Sequence, residues 1–573
     1  MGVDVSAATR QEQPGGPAPQ SSRRTRRGAG WEQTEVGSWT SLLPGLPEPL
    51  DDDPPAARPA ARVPPRLSWF TPRVLWTSRN DFVARISDPV PALRQRWVGG
   101  RSDEQLRVDL SDRTDFSFLL MGDTGEGDCS QYALVPPLTR VADECDAAFV
   151  FICGDVLYPV GNVNEYGGKF FFPYRTLQRP IYSLPGNHDW YDGLAAYMYH
   201  FCSPKALPPR VRQAAPRPVS RRTTLARMGA GARLLVRLGL WRSPDRPVDL
   251  AGIELVTQAR SSAAQRPPRP QPGPYYVIDT AHLRIVCLDT GILGNLDQQQ
   301  GEWLLRVSED PRPKILLTGK PLLVNGGVEE CEILGAPRGF ASVLQVVHDA
   351  RFRYVAAIGG DIHNYQHYPV RLPDPSGAGR ERVVDHVVSG GGGAFMHATH
   401  TIPPLDPEKV LGVTEAEYRA YPLRRDSLAA YSKVLQGMLD KLRLPVRVQL
   451  DDRQAAEFLH ETIDAETCRP QAVDGVEPAG RPLTRFDRLV ARLLLLVGGR
   501  RFHQFFSPFY DWDQPPFFKH FLRIDVTEQG ATVRCYAVTG RQEDEEDPAV
   551  EDQFTLTFPA PVPGEDVVGR PSG

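Results

Sequence analysis

At 573 residues the chain has room for two or three domains, and 41% hydrophobic content is ordinary for a soluble globular protein. Lys and Arg number 66 against 70 Asp and Glu, a net charge of −4. That balance excludes a global electrostatic case for nucleic acid or another polyanionic partner, so any such case must be local.

Residues 1–65 hold eleven prolines, a basic "RRTRR" and an acidic "DDDPP". Almost no periodic apolar residues offset the entropy of ordering, and a disordered Pro/Arg-rich segment is expected. The start of the chain lacks the apolar stretch of a signal peptide, and no run approaches the roughly 20 apolar residues that span a bilayer. Eight cysteines (129, 145, 153, 202, 287, 331, 468 and 535) are scattered without a CxxC pair. Several sit in apolar runs, as buried reduced thiols would. A cytoplasmic protein is the expectation.

Residues 66–111 read as a connecting segment. From Asp112 the pattern changes to short β-rich runs that end in Gly plus a polar residue: "DFSFLLMGD", "AAFVFICGD", "RPIYSLPGN", "LRIVCLDTG", "KILLTGK", "YVAAIGGD" and "HVVSGGGG". Helical stretches such as "LTRVADEC" and "QQQGEWLLRVSED" lie between them, which implies helices layered on sheets over residues 112–400. Within that domain, residues 203–270 are a basic insertion. Its "TTLARMGAGARLLVRLGLWR" fits either a solvated surface helix or, through 204–270, peripheral membrane or anionic-partner contact. Residues 401–515 read as a mainly helical insertion in which "FDRLVARLLLLVGG" is a core helix, with interfacial attachment as the weaker option. Residues 516–560 alternate apolar and polar around "EQG" as a β-hairpin completing the main sheets, and 561–573 are a tail.

Strand-end loops hold side chains at fixed positions. Here they present oxygen and nitrogen ligands in succession: Asp123 in "MGDTGEGD", Asp155 and Tyr158 in "CGDVLYPVG", Asn187 and His188 in "LPGNHDWYDG", then Asp361 and His363 in "GGDIHNY". One Gly-Asp after a strand is usually only a turn. Three such turns with a GNHD and a Gly-x-x-His turn argue for a hard-cation site.

In that order the residues resemble the calcineurin-like metallophosphoesterases, and most closely the purple acid phosphatase variant of the site. The resemblance covers residues 112–400 and the final hairpin. It implies an α+β fold, a four-layer α/β/β/α sandwich, with one or two metal ions (Fe, Mn or Zn) at the strand ends of one edge. The usual first motif is Asp-x-His, whereas this chain has Asp123-Thr124-Gly125. Purple acid phosphatases share that glycine and supply a tyrosine three residues after the second Asp, where Tyr158 stands. The resemblance thus gives a first site of Asp123, Asp155, Tyr158 and His363, whose phenolate suits Fe(III).

The second site should use Asp155 as a bridge, Asn187 and two further histidines, but this chain has Lys320 and Asp361 at those two positions. Protonated Lys has no lone pair for a metal, while a carboxylate does. The two changes balance in charge and suggest a mutual ion pair. Either Asp361 and Asn187 hold a weaker second metal with Lys320 nearby as a phosphate-binding charge, or the Lys320 ammonium itself occupies the vacated position.

The implied activity is hydrolysis of a phosphomonoester or phosphodiester by metal-activated hydroxide. His188 would stabilise the phosphoryl group or protonate the leaving oxygen, with Asp189 orienting its imidazole. His367, His397 and His400 are expected to support the site rather than ligate. The glycine run 390–393 lacks the strand and GK[ST] context of a nucleotide loop and fits close backbone approach at the site rim. The different-class alternative is a catalytically weak or inactive protein of the same fold that binds a phosphorylated ligand or partner.

Overall fold

The computed structural model describes residues 90–202, 271–374, 380–462, 481–496, 517–540 and 548–559, with Pro72 and Val74 and without positions 162–164, 172, 175 and 192. The expectations for 1–65, the 203–270 insertion and the 561–573 tail lie outside the described residues.

Two sheets dominate. One holds β2 (Phe116–Met121), β3 (Phe149–Gly154) and β4 (Ile181–Pro185) as parallel neighbours. Antiparallel to β2 it adds β14 (Lys519–Val526), then β15 (Gly530–Val538) and β16 (Val550–Thr557), in the order β16-β15-β14-β2-β3-β4. The C-terminal segment is therefore a three-stranded meander that enters the sheet beside β2, one strand more than the expected hairpin.

The second sheet runs β1-β5-β6-β7-β10-β12-β11-β13. Its members are β1 (Arg107–Leu110), β5 (Tyr276–Thr280), β6 (Arg284–Leu288), β7 (Lys314–Thr318), β10 (Tyr354–Gly359), β11 (Tyr365–Pro373), β12 (Glu381–Ser389) and β13 (Arg419–Tyr421), while β8 (Leu323–Val324) and β9 (Gly327–Val328) pair with each other in a separate ribbon. β7 lies parallel to both β6 and β10. β1 corrects the reading of 66–111 as a mere connector: it pairs parallel with β5 and follows a helix at Val90–Val98. Arg94 of that helix is buried against Asp289 and Asp297, each at 2.8 Å, so this segment is tied into the fold by charge as well as by apolar contact.

The strands read as continuous apolar runs because both faces are covered. Phe118, Leu120, Phe149 and Phe151 from one sheet and Ile285, Ile315, Leu317 and Ile358 from the other form one buried cluster between the sheets. The alternate residues Leu119, Met121, Val150 and Ile152 pack outward with Leu134 and Leu138 of the helix Cys129–Glu144. On the far side Val286, Leu316 and Ala357 do the same with Trp303, Val343 and Val347. The result is the α/β/β/α sandwich. Asp128 caps the helix Cys129–Glu144 by accepting from the Ser130 N–H, and Pro136 and Pro137 lie inside it. Prolines ordinarily break a helix interior, which is why only its second half was visible in the sequence.

Residues 401–515 do not form a wholly separate unit, since β13 joins the large sheet. Its helices Arg424–Lys441, Asp452–Thr462 and Arg485–Leu496 share a small core of Leu428, Leu450, Phe458, Val490 and Leu494. Among the described residues no helix is long and apolar enough to cross a membrane, and Cys129, Cys153, Cys202, Cys287 and Cys535 are buried thiols.

Candidate functional site

The C-terminal ends of β2, β3 and β4 meet those of β7 and β10 at one edge of the sandwich. The Cys153 thiol at the end of β3 donates to the Thr318 carbonyl at the end of β7, 2.8 Å away. The two sheets are thus in contact where the predicted ligands emerge.

Asp123 leaves β2 with φ 56° and Asp361 leaves β10 with φ 67°. Both are left-handed positions that Asp tolerates and most residues do not. Oδ1 of Asp123 accepts the Asp155 N–H at 3.0 Å, while Oδ2 is buried without a hydrogen-bond partner. A Cβ on Gly390 would stand 2.6 Å from that Oδ2 and one on Gly360 2.9 Å from it, so the carboxylate sits in a cradle that only glycine leaves open. Burial, then the nearby Asp155 and Asp361 charges, raise the Asp123 pKa well above the carboxylate range. Among the described residues no cation offsets an anion in that position.

Asp155 Oδ1 accepts the His188 N–H at 2.8 Å, and its own pKa is raised chiefly by burial, opposed by His188. Tyr158 is fully buried, with its hydroxyl 3.1 Å from His363 Nε2 and 3.4 Å from Asp123 Oδ1. Burial, then Asp123 and Asp155, hold its phenol protonated. His363 Nδ1 lies 2.6 Å from the Phe395 carbonyl. Because a carbonyl only accepts, Nδ1 carries the proton and Nε2 presents its lone pair to Tyr158. Burial, then His397, lower the His363 pKa well below its ordinary value, which keeps that lone pair in place.

Asn187 Nδ2 donates to the Tyr191 hydroxyl at 2.8 Å, which orients the amide. Lys320 Nζ is 2.8 Å from Asp361 Oδ1, with both side chains about a quarter exposed at 28% and 25%. Although burial opposes it, the Lys320 ammonium holds the Asp361 carboxyl below its usual value. His188 Nε2 is 4.0 Å from Asp155 Oδ2. Its Nδ1 is 2.8 Å from the Pro159 carbonyl, which is the group that orients the ring. Asp189 is a different case from the one expected: its Oδ2 accepts the N–H groups of Gly186 and Val156 at 3.1 and 3.0 Å. It therefore braces the start of the short helix Asn187–Trp190, as an acid at the third helical position does.

The three other histidines separate. His397 Nδ1 accepts the His363 N–H at 3.0 Å and its ring stacks on His363 at 4.5 Å. His367 instead lies between Asp385 and Asp552, and His400 bonds Ser427 of the helical insertion. The carbonyls of Phe395 and Pro159 carry no sequence signal, since every residue has one. Tyr191 had a faint signal, four residues beyond Asn187.

Among the described residues no three His, Cys, Asp or Glu side chains stand in the mutual geometry of a formed metal site. Here the Tyr158 hydroxyl lies between His363 and Asp123. The donor set nevertheless fits a hard cation: an unpartnered buried carboxylate oxygen, a second carboxylate, a phenol and an imidazole with its lone pair directed inward.

A sequence model of the calcineurin-like phosphoesterase family matches residues 116–237. Among curated proteins none matches. Among solved structures, a purple acid phosphatase from yellow lupin (Lupinus luteus) seeds is similar at 11% identity and TM-score 0.37, over 78% of this chain and 55% of its own. GAP50, "the anchor in the inner membrane complex of Plasmodium", is 8% identical at TM-score 0.37, over 78% and 90%. PhoD is 10% identical at TM-score 0.32, over 78% and 72%. This chain spans about half the length of the lupin enzyme. Over residues 116–237 this chain is therefore similar to the calcineurin-like phosphoesterase family.

Proposed function

We propose that this chain is a metal-dependent phosphoesterase acting on a phosphomonoester or phosphodiester. The observation that carries the reading is the buried Asp123 carboxylate, whose Oδ2 has no hydrogen-bond partner, beside a Tyr158 and His363 pair. Asp123, Asp155, Tyr158 and His363 would hold one ion, Fe, Mn or Zn. Asn187 and Asp361 are the remaining donors for a second. A bound ion would supply Lewis acidity toward a phosphoryl oxygen and an acidified water.

This chain's own residues do the rest. Asp155 orients what binds between it and His188. Lys320, held by Asp361, places a positive charge where phosphoryl oxygens would enter. The Pro159 carbonyl fixes the His188 ring so that Nε2 is the nitrogen on the Asp155 side. The buried thiols favour a reducing, cytoplasmic setting.

The Lys320 and Asp361 pair also favours a second reading, in which turnover is weak or lost and the site binds a phosphorylated ligand or partner. Elemental analysis with turnover of aryl phosphate mono- and diesters separates the two. The enzyme reading expects turnover that is lost with chelator and falls on the order of 100-fold or more in Asp155→Ala. Inactive wild type after loading with Fe, Mn and Zn would sink it, and inorganic phosphate binding without turnover would support the second.

A further inference from the structure

The helix Arg485–Leu496 is not simply a core helix. Val490, Ala491 and Leu494 face the small core of the helical insertion. On the adjoining face Phe486, Leu489 and Leu493 are 49%, 53% and 47% exposed. At about 100° per residue, these three and the exposed Arg485 and Arg492 fall within a single arc of about 120°. The two arginines occupy one flank of the arc and the apolar side chains the other. The helix's single acid, Asp487, is turned away: its carboxylate bonds Thr484 and Gln454.

A second stretch of the same insertion has the same chemistry. After the helix Arg424–Lys441 the chain reads "KLRLPVRV", in which Leu442, Leu444 and Val446 are 69%, 47% and 43% exposed. They alternate with exposed Arg443 and Arg447. Isolated exposed leucines need no explanation. Six large apolar side chains in two segments, each interleaved with arginine, do need one.

We propose that these two exposed segments of the helical insertion, the Phe486–Leu489–Leu493 stripe foremost, dock on an anionic membrane. The commitment to lipid rests on charge complementarity. An apolar stripe with basic residues on its flank lets the rings and methyl groups enter the acyl boundary while the guanidinium groups meet headgroup phosphates and carboxylates. A protein partner of ordinary composition would place acids or apolar groups against the stripe but has no need for arginine in both segments. The overall charge of −4 excludes attraction by the chain as a whole, and the variants below separate this surface from the basic 203–270 insertion.

Sedimentation of the full chain with vesicles tests this. Binding is expected to vesicles of equal parts phosphatidylcholine and phosphatidylserine, to be at least about tenfold weaker with phosphatidylcholine alone, and to fall as salt rises. The triple variant Phe486→Ser, Leu489→Ser, Leu493→Ser and the double variant Arg485→Glu, Arg492→Glu should each bind about tenfold or more weakly. Circular dichroism and unchanged metal content establish that each variant is folded. These substitutions are exposed, so the small core remains. No binding to anionic vesicles, or folded variants that bind as wild type does, would overturn the proposal. So would a concentration-dependent dimer abolished by the triple variant, which would identify a second copy of the chain as the occupant.

Discussion

Lys320 Nζ stands 2.8 Å from Asp361 Oδ1, joining the loop after β7 to the loop after β10 across 41 residues of sequence. Two positions that would each have offered a neutral imidazole in the resembled site carry opposite charges in contact. An ammonium so placed occupies a carboxylate oxygen that a second ion would need. We therefore expect one equivalent of tightly bound metal in the wild type and two in Lys320→His. Elemental analysis after dialysis measures it, and unchanged stoichiometry would mean that Lys320 does not compete for the second position.

Asp123 makes a separate prediction for the protein without metal. Its folded-state pKa is raised by burial and by neighbouring carboxylates, so the ionised form opposes folding as pH rises above the ordinary carboxylate value. Asp123→Asn removes that charge. The metal-free variant should melt above metal-free wild type at pH 7, and the rise in Tm that added metal produces in wild type should largely vanish. A thermal melt with and without chelator reads both.

Arg94 holds the helix Val90–Val98 to the main body through Asp289 and Asp297, and it is only 1% exposed. Truncating one partner of a buried charge network leaves the others uncompensated and costs about 3–5 kcal/mol. Arg94→Ala should lower the urea midpoint accordingly. A loss within about 0.5 kcal/mol, the range of ordinary surface changes, would show that this helix is dispensable.

His367 bridges the sheets, with Nε2 2.8 Å from Asp385 on β12 and Nδ1 2.8 Å from Asp552 on β16. Burial acts to lower its pKa, but the two carboxylates raise it from 6.5 to about 9. A raised folded-state value stabilises fully below the unfolded value and is lost as pH rises through the folded one. The contribution should therefore be complete below about pH 6.5 and disappear through about pH 9, on the order of 3 kcal/mol. Urea unfolding at both pH values should show the drop, and His367→Gln should flatten it.

The candidate site was legible as a set of residues because they are local in sequence. Asp123, Asp155, Asn187 and Asp361 follow strand ends by one or two residues and Tyr158 and His363 by four, and a strand that ends at a sheet edge must deliver the next side chains there. What joins them was not legible. The tautomers of His363 and His188 are set by the carbonyls of Phe395 and Pro159, and a carbonyl has no residue signature. Asp189 looked like a partner for the adjacent imidazole, yet the backbone N–H groups of Gly186 at the helix start and of Val156 after β3 took its carboxylate.

The sequence by itself determined the alternation of strand and loop and the order of Asp123, Asp155, Tyr158, Asn187 and His363, while the resemblance implied that Lys320 and Asp361 stand where two imidazoles would be expected. Those are matters of side-chain chemistry and short-range period. The tertiary structure decided that Lys320 and Asp361 touch, that His367 serves the sheets while His397 serves His363, and that Arg107–Leu110 is an edge strand. Each of these depends on distant segments converging, and convergence is set by how two sheets close on a shared core rather than by any local run of residues.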